Sequence, residues 1–167
     1  TGATLQTELG GFAIASSLLG DPALGTQNTN SVGMMITDSA MLVDRNYFIN
    51  SGVGVVVNTT AAGGGAAPSI VNNGFIGNTT GLYLSDAGTI ASTNVINNTF
   101  AYNTYGLWAQ NSTSTGTNQG YVANNIFWQN HDQTTARNGL GINSATPNHL
   151  ILNNNLFSGT GRHDSQP

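Results

Sequence analysis

Few side chains in this chain of 167 residues can do acid, base or metal chemistry: three arginines, seven acids and three histidines, with neither lysine nor cysteine. Two short stretches concentrate them, WQNHDQTTARNG with His131, Asp132 and Arg137, and GRHD with Arg162, His163 and Asp164. A histidine beside an aspartate can ligate a metal or serve as an acid and base pair. Zinc sites ordinarily draw on a tighter ligand set, so a surface cluster of turns and ion pairs is the preferred reading. His131, Asp132, Arg162, His163 and Asp164 are kept as catalytic candidates on that footing. His149 follows Pro147-Asn148 and reads as exposed in a turn, and Asp44-Arg45 reads as a solvated pair. No cofactor and no metal is expected.

The positions of these groups depend on a repeat. IVNNGFIGNTTGLYL (Ile70 to Leu84) returns as VINNTFAYNTYGLWA (Val95 to Ala109), sharing an apolar residue, then Asn, Phe, Asn and Gly at fixed offsets. Aligned on Phe48, Phe75, Phe100, Phe127 and Phe157, the copies are spaced by 27, 25, 27 and 30 residues. A period in this range marks a repeat architecture. Two positions before each Phe stands Asn46, Asn73, Asn98, Asn125 or Asn155, and five before it Val43, Ile70, Val95, Val122 or Leu152. Six positions after it come Gly54, Gly81 and Gly106, each leading an alternating pair: Val55 and Val57, Leu82 and Leu84, Leu107 and Ala109. Period-two runs bounded by Asn and Gly read as strands of three to five residues separated by tight bends. Such strands gain stability only by stacking copy upon copy at roughly 4.8 Å.

The recurring Asn has two uses on this reading. It tolerates the left-handed backbone of a sharp bend, and stacked copies can pass amide hydrogen bonds from coil to coil as a structural ladder of Asn46, Asn73, Asn98, Asn125 and Asn155. Gly81 reads as the second bend. GGFAIAS (Gly10 to Ser16) and VGMMITDS (Val32 to Ser39) also read as glycine-led strands, with Leu18 to Asn30 a longer excursion. NTTAAGGGAAP, SDAGTIAST and QNSTSTGTNQG read as loops projecting from one edge.

With V-x-x-N-x-F followed by N-x-x-G-L-x-L, the chain from about Val32 to Phe157 resembles the right-handed parallel β-helix repeats of the pectate-lyase-like superfamily. The resemblance implies an all-β, single-stranded, right-handed parallel β-helix of about six coils with a period of about 27 residues. A leucine-rich repeat is set aside because a second alternating strand follows the Asn and Gly, and leucine is sparse. The chain is read as one β-helix domain and as a piece of a longer protein: an irregular first coil over 1–31, regular coils over 32–157 and a tail over 158–167. The superfamily includes polysaccharide lyases, hydrolases and noncatalytic adhesins, so the fold does not fix an activity.

Enzymes of that superfamily use clustered carboxylates, or a basic residue beside calcium. Asp44 aligns with Val71, Ile96 and Ala123, so no column of acids forms, and Asp44 and Asp86 fall on coils that are not adjacent. A paired-carboxylate glycosidase needs its carboxyls roughly 5–10 Å apart. The expectation leans away from an enzyme. Residues eight after Phe point outward, namely Val56, Tyr83 and Trp108, and Tyr83 and Trp108 would stack on neighbouring coils. An exposed aromatic pair on an uncharged, Asn-rich face is a platform for a neutral sugar, weighed against a pair that only stabilises the sheet.

A formal charge of −4 with only 6% charged residues leaves little for a nucleic-acid surface. No apolar run approaches the length of about 18 residues needed to cross a bilayer as a helix. The glycosylation acceptor patterns at Asn58, Asn78, Asn97 and Asn111 are expected from the Asn and Thr content. The functional expectation is an extracellular or cell-surface structural or adhesive scaffold, with neutral polysaccharide as partner. The alternatives are a polysaccharide lyase or glycoside hydrolase, and a fibre subunit associating end to end.

Overall fold

The computed structural model describes residues 3–6, 13–15, 17–20, 28–59, 68–86, 93–111, 120–130, 140–144 and 150–158. All regular structure among them is β-strand, arranged as three parallel six-stranded sheets. Sheet A stacks Ala3–Gln6, Asn28–Thr37, Ser51–Thr59, Thr80–Asp86, Tyr105–Asn111 and Leu140–Ser144. Sheet B stacks Ala13–Ala15, Leu42–Asp44, Ser69–Val71, Asn94–Ile96, Gly120–Ala123 and Leu150–Asn153. Sheet C stacks Leu18–Gly20, Tyr47–Ile49, Gly74–Ile76, Thr99–Ala101, Ile126–Trp128 and Leu156–Ser158. The chain visits A, B and C in turn and then steps up one rung, which makes the molecule a parallel β-solenoid.

Each repeat position becomes a column through the core. The phenylalanines of sheet C stack ring on ring, with centroids 5.0, 4.7, 4.8 and 4.8 Å apart and planes within 12°. Val43, Ile70, Val95 and Val122 of sheet B are fully buried, as are Val55, Leu82 and Leu107 of sheet A. Offset stacking of aromatic rings adds about 0.5–1.5 kcal/mol per pair to their area burial.

Among the described residues, seven of the buried polar side chains are asparagines, in two ladders. At the corner between B and C, the Oδ1 of Asn73, Asn98, Asn125 and Asn155 accepts the backbone N–H of Asn46, Asn73, Asn98 and Asn125 at 2.8–3.0 Å. The Nδ2 groups of Asn73, Asn98 and Asn125 in turn donate to the carbonyls of Val43, Ile70 and Val95 on the rung below, at 2.9, 2.8 and 2.8 Å. A second ladder runs up the corner between C and A. There Ser51, Asn78 and Asn103 donate their N–H to the Oδ1 of Asn78, Asn103 and Asn130.

The structure separates the two roles that the sequence reading gave to one asparagine. The left-handed residue is the one before each ladder position: Arg45, Asn72, Asn97, Asn124 and Asn154, with φ between 50° and 57°. The ladder Asn itself turns its amide inward. The second bend likewise belongs to Asn50, Gly77, Tyr102 and Gln129, at φ 49°, 67°, 57° and 46°, and not to Gly81. Gly81 is required for a different reason: a Cβ there would lie 2.5 Å from the Gly106 carbonyl oxygen and 3.0 Å from the Phe100 ring. Its column is glycine because backbone of the next rung crosses where a side chain would stand.

Two further expectations are corrected. GGFAIAS does not enter the glycine-led sheet; its described part, Ala13–Ala15, pairs in sheet B, with Ile14 opposite Val43. Leu19 then occupies the phenylalanine column opposite Phe48, and the Ser17 N–H donates to Asn46 Oδ1 at 2.9 Å. Strands of sheet A also exceed three to five residues, reaching ten in Asn28–Thr37 and nine in Ser51–Thr59. Their pairing continues past the alternating apolar pair, so Asn58, Ser85 and Gln110 stay in register.

Among the described residues, Tyr102 is the bulkiest side chain held in a left-handed bend. That backbone costs a residue with a Cβ about 1–2 kcal/mol, while glycine loses about 0.5–1 kcal/mol more entropy on folding. Tyr102→Gly is therefore expected to stabilise the protein by about 0.5–1 kcal/mol in urea unfolding. A loss of stability would show that the Tyr102 side chain holds the corner together.

Candidate functional site

Chemistry on the outer surface has to come from the positions that alternation and the corners turn outward. In sheet A the inward glycine and the residue after it interrupt simple alternation, so two outward columns flank them. One contains Val53, Thr80 and Tyr105, and the other Val56, Tyr83 and Trp108, each aligned in register on successive rungs. Val53, Thr80, Tyr83, Tyr105 and Trp108 line a shallow, open trough of about 390 Å³ across three rungs. Val56 lies in the same column but is largely buried.

Within the trough, Trp108 is set by its neighbour on the same strand. The Tyr105 ring meets it edge to face, centroids 5.1 Å apart at 72°. This geometry aligns the positive edge of one ring with the negative face of the other. Tyr83 stands beside Trp108 on the adjoining rung, and both are half-buried. The lining combines aromatic faces with the hydroxyls of Thr80, Tyr83 and Tyr105 and the indole N–H of Trp108, with no charged side chain among the five. Such a surface offers C–H stacking and neutral hydrogen bonds to a ligand. Tyr105, Thr80 and Val53 are the members the sequence reading missed. The signal lay in the residue before each glycine, where simple alternation would have placed an inward side chain.

Other candidates have different positions. The Asn46, Asn73, Asn98 and Asn125 amides lie in the core corners, engaged rung to rung. Asp44 and Arg45 form an ion pair at 2.9 Å, with Arg45 exposed, and Asp44 Oδ1 also accepts from Asn72 Nδ2 at 2.9 Å. Asp44 lies in register with Val71, and Val71 with Ile96 and Ile96 with Ala123, so acids do not form a column on this face. Among the described residues no group of three or more His, Asp or Glu is placed to hold a metal ion. His131, Asp132, Arg137, His149, Arg162, His163 and Asp164 lie outside the described residues.

Fold and site together define a parallel β-solenoid carrying an aromatic, uncharged surface trough. No protein-family model, curated protein or solved structure matches the chain.

The edge contact makes Tyr105 the support of Trp108. The chain has two tryptophans, so in a Trp128→Phe background Trp108 is the sole indole. Adding Tyr105→Ala is expected to shift its fluorescence emission to longer wavelength as water reaches the ring. An unchanged spectrum would show that Trp108 is held by other neighbours.

Proposed function

We propose that the protein is a rigid structural or adhesive scaffold of the extracellular space or cell surface, and that its sheet A trough binds neutral glycans. The observation that carries this reading is the trough itself. Tyr83, Tyr105 and Trp108 provide aromatic surface, hydroxyl and indole groups provide orientation, and the lining is uncharged. A neutral sugar has the matching chemistry, with apolar C–H faces and a rim of hydroxyls. Buried amide ladders suit a scaffold, because opening a rung would expose several paired polar groups and core side chains at once.

The coil frame supports placing the chain with the noncatalytic, adhesin-like members of the pectate-lyase-like β-helices. Extracellular placement is part of the same proposal. It draws on the low charge and the amide-rich composition, a surface solvated by uncharged groups. Among the described residues no helix is long and apolar enough to cross a membrane.

A glycan array probed with the whole chain tests the binding proposal. The expected result is retention of a set of neutral oligosaccharides, with Trp108→Ala reducing the signal at least ten-fold and leaving the strand circular dichroism unchanged. Equal binding by Trp108→Ala, or a preference for sulfated and uronic-acid glycans, would overturn it.

A further inference from the structure

The five side chains of the sheet A trough change in character from rung to rung. The lowest rung contributes Val53 alone, the next Thr80 and Tyr83, and the third Tyr105 and Trp108. The polar atoms of the lining are the Thr80, Tyr83 and Tyr105 hydroxyls and the Trp108 indole N–H, so all of them stand on the upper two rungs. Val53 closes the lower end with two methyl groups.

The neighbours of Val53 keep that end apolar. One rung further down, Val32 lies in register with Val53 and Met35 with Val56, so the outer face passes from aliphatic to aromatic along both columns. Val32, Met35 and Val53 are half-buried, and Val56 is largely buried. The Ser31 hydroxyl beside Val32 accepts the Gly52 N–H at 3.3 Å and is not part of the lining. Val53 and Tyr105 are two rungs apart, about 10 Å at about 4.8 Å per rung, a span covered by one sugar ring and a substituent projecting from it.

That substituent meets a selective surface. A hydroxyl seated over Val53 would give up hydrogen bonds to water without gaining one from this end of the lining. A methyl there gains instead, by about four-fold in affinity when it is fully covered. With one aliphatic member in a trough of about 390 Å³, the seat is one side chain wide, which suits a methyl group better than an acyl chain.

We infer that the trough selects, among neutral sugars, those carrying a methyl group in an acetamido or 6-deoxy substituent, and that Val53 is the residue that reads it. The inference rests on the proposal that the trough binds neutral glycans. The sugar ring stacks on the aromatic rungs, its hydroxyls meet those of Thr80 and Tyr105, and its methyl lies on Val53.

The test measures binding of the whole chain to matched sugars displayed on a surface: N-acetylglucosamine against glucose, N-acetylgalactosamine against galactose, and L-fucose against L-galactose. The expected result is about five-fold tighter binding of the methyl-bearing member in at least one pair, and the acetamido and deoxy pairs tell which carrier of the methyl is taken. Val53→Thr exchanges one methyl for a hydroxyl and keeps the β-branched shape that Thr80 already has on the next rung. It should reduce that preference to about two-fold or less while the methyl-free sugar binds as before. Trp108→Ala should weaken both members of the pair. Equal binding within every pair would overturn the inference and leave the neutral-glycan reading standing. So would a preference that survives Val53→Thr, since the methyl would then be read elsewhere, or tighter binding of N-butyrylglucosamine than of N-acetylglucosamine, since the seat would then accept a chain. Failure of the parent to bind any neutral glycan would overturn the reading and the inference together.

Discussion

The fold depends on the hydrogen bond between an asparagine Oδ1 and the backbone N–H one rung below it, repeated up two corners of the solenoid. Strands of three residues have too few backbone bonds to fix their own register, and a one-residue slip would turn Phe75 outward and Ile76 inward. The ladder removes that freedom. Asn98 accepts from Asn73 through Oδ1 and donates through Nδ2 to Ile70 O below and to Asn125 Oδ1 above. A slipped rung would leave these groups buried without partners, at about 1–3 kcal/mol for each.

From that constraint follow the other columns. The two ladders stand five residues apart in each regular rung, as with Asn73 and Asn78 or Asn98 and Asn103, so the segment around sheet C has constant length. Between them sits one phenylalanine, and constant length stacks the rings nearly parallel. The glycine column adds a steric condition of its own, because the Gly106 carbonyl occupies the space a Gly81 side chain would need. With the interior committed, only outward positions are free to vary. That is why the trough rests on Tyr83, Tyr105 and Trp108, and why sheet C can alternate tyrosine, isoleucine and tryptophan without disturbing the core.

The architecture was legible because its strongest signals are side chains repeated at fixed offset: Phe, Asn and an aliphatic residue. The first coil was not, since Leu19 replaces the phenylalanine and Ser17 the asparagine that would have aligned it. The division of work at the corners was also hidden. Asn72 and Asn73 are the same residue type, and only φ and burial distinguish the bend from the ladder. Bends at Arg45 and Tyr102 carried no turn signature because the stacked backbone imposes their conformation. The outward direction of Tyr83 and Trp108 followed from alternation, whereas Tyr105 lies across a glycine that breaks it.

A double-mutant cycle across one ladder bond tests most directly whether side-chain amides hold the rungs in register. Urea unfolding of Asn73→Ala, Asn98→Ala and the pair should give a coupling energy of about 0.5–3 kcal/mol, the range for residues sharing one network. Asn73→Ala combined with Asn130→Ala, which share no bond, should be additive within about 0.5 kcal/mol. Additivity in both pairs would contradict the account and leave backbone pairing and the phenylalanine stack as the source of register.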